Sequence, residues 1–234
     1  MGKQESTGTP WNKLQGLGLK PDIKDIEAYE QAYQEGMTRA LKTLVTSQSL
    51  AVIPALIKSI HYAIFYKIHT WAGEFRSRDE TVTFDKGRVG ADASKIEGAL
   101  EECCQKYEVD ISQCDPPGYA LALATLHGSI RSIHPFRDGN TRTSAVLLEA
   151  QIQAIYGPQE RSPLMSESLK PFLQAAYEGN PYPLASMILR RGGLEVPNWP
   201  EKELSRKVTP KLDENFETEW QKKRAEILRQ QEQK

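Results

Sequence analysis

Between Ile53 and Ile68 the apolar residues Ile53, Leu56, Ile57, Ile60, Ile64 and Ile68 recur at three- and four-residue intervals. That period places them along one face of a helix. A second stripe, Leu123, Leu126, Ile130 and Ile133, repeats the pattern. Chains built from such stripes bury them by packing helix on helix. The same period runs from Asp25 through "IEAYEQAYQEGMTRALKTLV". It resumes at Ser94, is cut by "CDPPGY" around Pro116 and Pro117, and restarts at Tyr119. "SAVLLEAQIQAIYG" reads as a helix closed by Gly157, and "SESLKPFLQAAYEGNPYPLASMILRR" as two more helical pieces. One segment, "AGEFRSRDETVTFDKGRVGAD", breaks the period. Thr81, Val82, Thr83 and Phe84 are strand formers and "DKG" supplies a turn. The expected fold is all-α, a helical core carrying a short β-hairpin.

The ends differ from this middle. Residues 1–25 carry Gly and Pro punctuation and read as an irregular arm, and residues 196–234 as a charged helical extension with Phe216, Trp220 and Ile227 as its sparse apolar positions. A length of 234 residues supports one substantial core. The net charge of -1 argues against nucleic acid as a partner. No apolar run approaches the ~20 residues that span a bilayer. Cys103, Cys104 and Cys114 are odd in number and lack zinc spacing, which suits reduced thiols in a cytoplasmic protein. "MGKQES" fits the short N-myristoylation pattern at Gly2 and Ser6, though a solvated start explains it as well. On this reading no membrane is expected as a partner.

The second stripe runs directly into "IHPFRDGNTRT", residues 133–143. His134 ends one helix, Pro135 favours leaving it, and Gly139 and Asn140 turn into the next. The first turn of that next helix points unbonded N–H groups at the loop, a geometry suited to anions. Arg142 adds a fork of donors for phosphate oxygens. Asp138 is a hard oxygen ligand of the sort that holds Mg²⁺ on a polyphosphate. His134 can accept a proton near neutral pH. Within nine residues the chain thus offers an anion cradle, a metal carboxylate, a cationic clamp and a base, the parts of phosphate-anhydride chemistry.

These residues resemble the Fic signature, His-x-Phe-x-Asp/Glu-Gly-Asn-x-Arg, matched at His134, Phe136, Asp138, Gly139, Asn140 and Arg142. "IHTWAGEFR" is similar to the turn before the family's hairpin flap, and "FLQAAYEGNPYPLASMI" to the helices that close its core. The resemblance implies a Fic domain over residues 26–195. It implies transfer of AMP from ATP to a Ser, Thr or Tyr hydroxyl of a target protein, with Mg²⁺ as cofactor and pyrophosphate as leaving group. By resemblance, His134 is the general base and Asp138 the metal ligand. Gly139, Asn140 and Arg142 bind the nucleotide, and Phe136 anchors the loop. Thr81, Val82, Thr83 and Phe84 form the flap that holds the protein substrate through its backbone.

Two positions depart from the commonest form of the signature. Thr141 replaces a second Gly, and Ala145 stands where many members carry a second Arg that meets the γ-phosphate and an inhibitory Glu. The Ala145 departure keeps open transfer of another phosphate-containing group, such as phosphate, UMP or phosphocholine. A non-catalytic module that binds nucleotide or peptide is the remaining alternative. Glu35, followed by Gly36, is the candidate inhibitory residue, with Gln31 at the Ser/Thr position of the usual inhibitory motif. A small antitoxin-like partner would supply the restraint in trans. A toxin and an effector delivered into another cell would share all of these residues.

Overall fold

The computed structural model describes residues 11–46, 52–84, 87–111, 114–156 and 166–199. Within them run α1 (Trp11–Gln15), α2 (Ile26–Thr46), α3 (Pro54–Phe65), the strands β1 (Thr83–Phe84) and β2 (Arg88–Val89), and a 3-10 turn (Ala93–Lys95). There follow α4 (Ile96–Ile111), α5 (Pro116–Ile133), α6 (Asn140–Tyr156), α7 (Ser166–Tyr177) and α8 (Tyr182–Arg191). The fold is all-α with one antiparallel hairpin, paired Thr83 to Val89 and Phe84 to Arg88. Helix α5 is central, packed against α4, α6, α7 and α8, while α2, α3 and α6 form a second group. Gly157, the N-terminal myristoylation pattern and residues 200–234 of the charged extension lie outside the described residues.

Both apolar stripes point inward. Ile57, Ile60, Ile64 and Ile68 are buried, as are Leu123, Leu126, Ile130 and Ile133. Ile53 differs: it is 51% exposed, because Pro54 occupies the first helical turn and leaves Ile53 as an extended cap outside the helix. Helix α5 begins at Pro116 rather than at Tyr119. Asp115 caps it, its side chain accepting from the Gly118 N–H at 2.9 Å, and the Pro-Pro pair sits where N–H groups have no helical acceptor. A sequence that looks like a break is a helix start.

Residues 11–25 are also more ordered than an irregular arm. Leu14 of α1 is fully buried, Leu19 pairs with His69 in an antiparallel bridge, and the Trp71 indole donates to the Leu17 carbonyl at 2.5 Å. At the other end, Val196 and Trp199 pack on the core, and the Trp199 indole donates to the Ser186 hydroxyl at 2.8 Å. Cys103, Cys104 and Cys114 are free thiols. Among the described residues no helix is long and apolar enough to cross a membrane.

Helices α2 and α3 cross at Gly36, where an added Cβ would lie 2.0 Å from the Ile64 carbonyl oxygen. Backbone on one side and helix on the other leave nothing that can yield cheaply. Gly36→Ala is therefore expected to destabilise the protein by about 1–3 kcal/mol, despite its better helix propensity. A thermal melt showing Gly36→Ala as stable as the parent would contradict this close crossing.

Candidate active site

The loop of residues 134–139 joins α5 to α6, and its shape follows from two unusual backbones. His134 caps α5 in the left-handed region at φ 52° and ψ 62°, and it is the only non-glycine with positive φ among the described residues. That conformation costs about 1–2 kcal/mol for a residue with a Cβ. Gly139 is left-handed at φ 78°, and a Cβ there would fall 2.3 Å from the Phe65 ring. Only glycine fits.

The loop is held from inside. Asn140 closes it on itself: its Oδ1 accepts from the Phe136 N–H at 2.9 Å and its Nδ2 donates to the Phe136 carbonyl at 2.8 Å. Both ends of the Asn140 amide are therefore committed to the backbone. Phe136 is buried and stacks on the His61 ring, centroids 3.9 Å apart. The Gly73 N–H donates to His61 Nδ1 at 2.9 Å, so the neutral ring carries its proton on Nε2 and donates to the Asp138 carbonyl at 3.1 Å.

Arg76 binds the loop from the hairpin side. Its Nε donates to the His134 carbonyl at 2.9 Å, its Nη2 to the Ile133 carbonyl at 3.3 Å and to the Ala91 carbonyl, and its Nη1 to the Glu80 carbonyl at 3.0 Å. The Arg76 N–H adds a bond to the Pro135 carbonyl at 3.0 Å. One buried side chain thus ties both feet of the hairpin to the backbone that carries His134. Neither His61 nor Arg76 stands out in the sequence, since their partners are remote in the chain; Arg76 closes "IHTWAGEFR" without any local signal of its role.

At the start of α6 the charges form a buried group. Arg142 Nη2 lies 2.5 Å from Asp138 Oδ2, and Arg142 Nη1 donates to the Tyr29 hydroxyl at 2.7 Å. The guanidinium is flanked by the rings of Phe65 at 4.7 Å and Tyr33 at 5.3 Å. Burial raises the Asp138 carboxyl, but the Arg142 charge and the Gly139 N–H outweigh it and hold the group below its ordinary value. Asp138 is thus a carboxylate with its side chain 22% exposed, above an Arg142 that is 8% exposed. Ala145 is buried in helix packing.

The hairpin reaches over the loop. The Phe84 ring lies flat on the His134 imidazole, centroids 4.2 Å apart at 8°, with Tyr177 edge-on to Phe84 at 5.9 Å. Arg88 pairs with Glu178 at 3.1 Å, fastening β2 to the end of α7. Thr83 and Phe84 form β1, while Thr81 and Val82 precede it; Val82 joins the hairpin through its carbonyl, which accepts from the Gly90 N–H at 3.1 Å. The structure thus brings His134, Asp138, Gly139, Asn140, Arg142 and Phe84 together. Glu35 lies on the surface of α2, paired with Lys67 at 2.7 Å, and the neighbouring Gly36 serves the helix crossing.

Residues 51–152, which contain this loop and the hairpin, match the Fic/DOC family model. Over that stretch the chain is similar to Fic domains. Solved Fic domains share its fold. The N-terminal Fic domain of a VirB-translocated Bep effector from Bartonella quintana is 21% identical, covering 77% of this chain and 88% of that one at a TM-score of 0.56. A form of such a domain from the same organism, solved with bound ADP, is 22% identical over 73% and 87% at 0.56. BepC from Bartonella tribocorum, solved with AMPPNP, is 21% identical over 73% and 89% at 0.54. No curated protein matches the chain significantly.

All four histidines of the chain are buried. Burial pushes His61 down to about 3 and His69 and His127 to about 4. Unfolding returns each to about 6.5, so below that pH the unfolded chain binds more protons than the folded one. Stability is expected to fall as pH drops from about 6.5 toward 4, with uptake of up to about three protons on unfolding from these groups. Melts across this range check it; a flat profile would place these rings in water.

Proposed function

We propose that this chain is a nucleotidyltransferase that moves AMP from ATP to a Ser, Thr or Tyr hydroxyl of a protein. The observation that carries the reading is the junction of α5 and α6. It holds an imidazole, an ionised carboxylate and a helix start within one loop whose backbone is fixed by Asn140, His61 and Arg76. The fold shared with Fic domains solved with ADP and AMPPNP supports a nucleotide as the ligand.

The target hydroxyl oxygen would attack the α-phosphorus of ATP and give its proton to His134. The bond from that phosphorus to the β-phosphate bridging oxygen breaks, and pyrophosphate leaves. The N–H groups of Asn140, Thr141 and Arg142 precede the first intrahelical bond of α6, from Thr143 to Gly139 at 2.9 Å, and face the phosphates as preset donors. Arg142 keeps Asp138 ionised and adds its charge from below. The Asp138 carboxylate fits Mg²⁺, a hard cation commonly held by one or two carboxylates together with substrate phosphates. When bound, Mg²⁺ would neutralise phosphate charge. The hairpin would hold the target segment by backbone pairing, with Phe84 keeping the imidazole plane fixed.

Ala145 favours a second reading, in which the same site transfers a different phosphate-containing group. Mass spectrometry of a lysate incubated with the protein, Mg²⁺ and a nucleotide panel decides between them. Addition of AMP to a hydroxyl supports the first reading, a phosphate, UMP or phosphocholine adduct the second. No adduct from any donor would leave only binding.

A further inference from the structure

Alternation along the hairpin gives it an outer and an inner face. Thr83 and Val89 stand opposite one another and are exposed. The next pair, Phe84 and Arg88, turns toward the helices: Phe84 to His134, Arg88 to Glu178 and the Tyr177 ring. The height of the strands over the loop is fixed. A Cβ at Gly90 would lie 3.0 Å from the His134 Cβ and 3.1 Å from the Ile133 carbonyl oxygen, so the strands cannot come lower. Arg76 and the Ala91 N–H, bonded to the Ile133 carbonyl at 3.1 Å, keep them from rising.

Phe84 gauges the gap that remains. A whole aromatic side chain is needed to pass from β1 to the imidazole, where the two rings lie parallel with centroids 4.2 Å apart. His134 itself is 7% exposed, with one face covered by that ring, so an incoming hydroxyl meets it at the ring edge. A segment that adds to the hairpin as a further strand lies about 4.7–4.9 Å to the side, at the same height as β1 and β2. Its inward side chain faces the gap that Phe84 spans. A serine or threonine oxygen, one bond beyond Cβ, stops near the level of the strand. A phenol carries its oxygen past the depth of the Phe84 ring.

We infer that the acceptor is the phenol of a tyrosine in the target segment, and that Phe84 is the residue that selects it. This rests on the nucleotidyl-transfer reading of the same loop. Phe84, with Tyr177 edge-on at 5.9 Å and Arg88 over Tyr177 at 4.8 Å, forms a braced aromatic wall against which a second flat ring packs. The phenol oxygen bonds to the α-phosphorus, and its proton passes to His134. The bond from phosphorus to the bridging oxygen breaks, and pyrophosphate leaves with that electron pair. A phenol, with a pKa of about 10, yields its proton more readily than an aliphatic hydroxyl does.

Site-resolved mass spectrometry of a lysate treated with the full chain, ATP and Mg²⁺ tests the inference. Nucleotide adducts are expected on Tyr at least about tenfold more often than on Ser and Thr together. Synthetic peptides copied from a modified site, with Tyr, Thr or Ser at that one position, should show the same order in kcat/KM. Phe84→Leu keeps an apolar cover but loses the flat wall, and should raise KM for the Tyr peptide about two- to tenfold while ATP affinity stays unchanged. Adducts that fall mainly on Ser or Thr, or a KM unmoved by Phe84→Leu, would overturn the assignment. Should Phe84→Leu melt early, the parent's adducts and the peptide series decide without it. Ser or Thr adducts remove this inference and leave the transfer reading standing; no adduct on any residue removes both.

Discussion

His134→Asn is expected to lower the rate of transfer by about 10²–10⁴-fold while the protein stays folded and still binds nucleotide. The choice of Asn matters because position 134 is left-handed at φ 52°. Asn enters that region more readily than Ala, so the variant removes the base without adding backbone strain. What it does lose is the flat stack on Phe84, about 0.5–1.5 kcal/mol by the usual worth of aromatic pairs. A modest fall in melting temperature with unchanged ATP affinity and lost turnover is the expected pattern. Full turnover in His134→Asn would remove the proton-accepting role. His134→Ala is the poorer test, since its backbone penalty would mix a folding defect with a chemical one.

The largest stability effect is expected at Arg142. Replacing it by Met strands the Asp138 carboxylate, which is 2.5 Å from the guanidinium, and leaves the Tyr29 hydroxyl without its donor. Breaking one half of a buried pair costs about 3–5 kcal/mol, a large part of the stability of a domain this size. The double variant Asp138→Asn with Arg142→Met should recover part of that loss, because it removes the uncompensated charge. The pH dependence has a definite sign. The folded value of Asp138 is depressed, so its stabilisation is fully present above the unfolded value of about 3.9. It is lost as pH falls through the folded value. The deficit of Arg142→Met against the parent should accordingly shrink below about pH 4. Chemical denaturation at pH 7 and pH 3 measures both. Equal stability of parent and variant at pH 7 would mean that the pair contributes nothing.

Local pattern carried most of the helical elements into view, because apolar stripes and turn residues act within a few positions. Ile57, Ile60 and Ile64, and the stripe Leu123, Leu126, Ile130 and Ile133, are buried as their spacing implies. Pro116 and Pro117 resemble a break along the sequence, yet proline in a first turn after the Asp115 cap begins a helix. At the site, the nature of the groups was legible but their commitments were not. Asn140 has the chemistry of a phosphate donor, yet it closes a ring with Phe136 four residues back. Arg142 has the chemistry of a surface clamp, yet its partner Tyr29 lies 113 residues away and draws it inside. Contacts at such separations exist only once α2 has packed on α6, and no window along the chain contains both.

Arg76 gives the hairpin and the loop a shared fate. Its four carbonyl acceptors belong to Ile133 and His134 on one side and to Glu80 and Ala91 on the other. A local opening that frees the hairpin must release the α5 terminus as well, since the guanidinium cannot leave one set of carbonyls buried and unmet without large cost. Amide protons of Ala91, bonded to Ile133, and of His134, bonded to Ile130, should therefore exchange with solvent in one cooperative step. A target segment pairing with the hairpin would slow exchange at both places. Its occupancy would then be legible in the backbone protection of the α5 terminus, carried there through the Arg76 side chain.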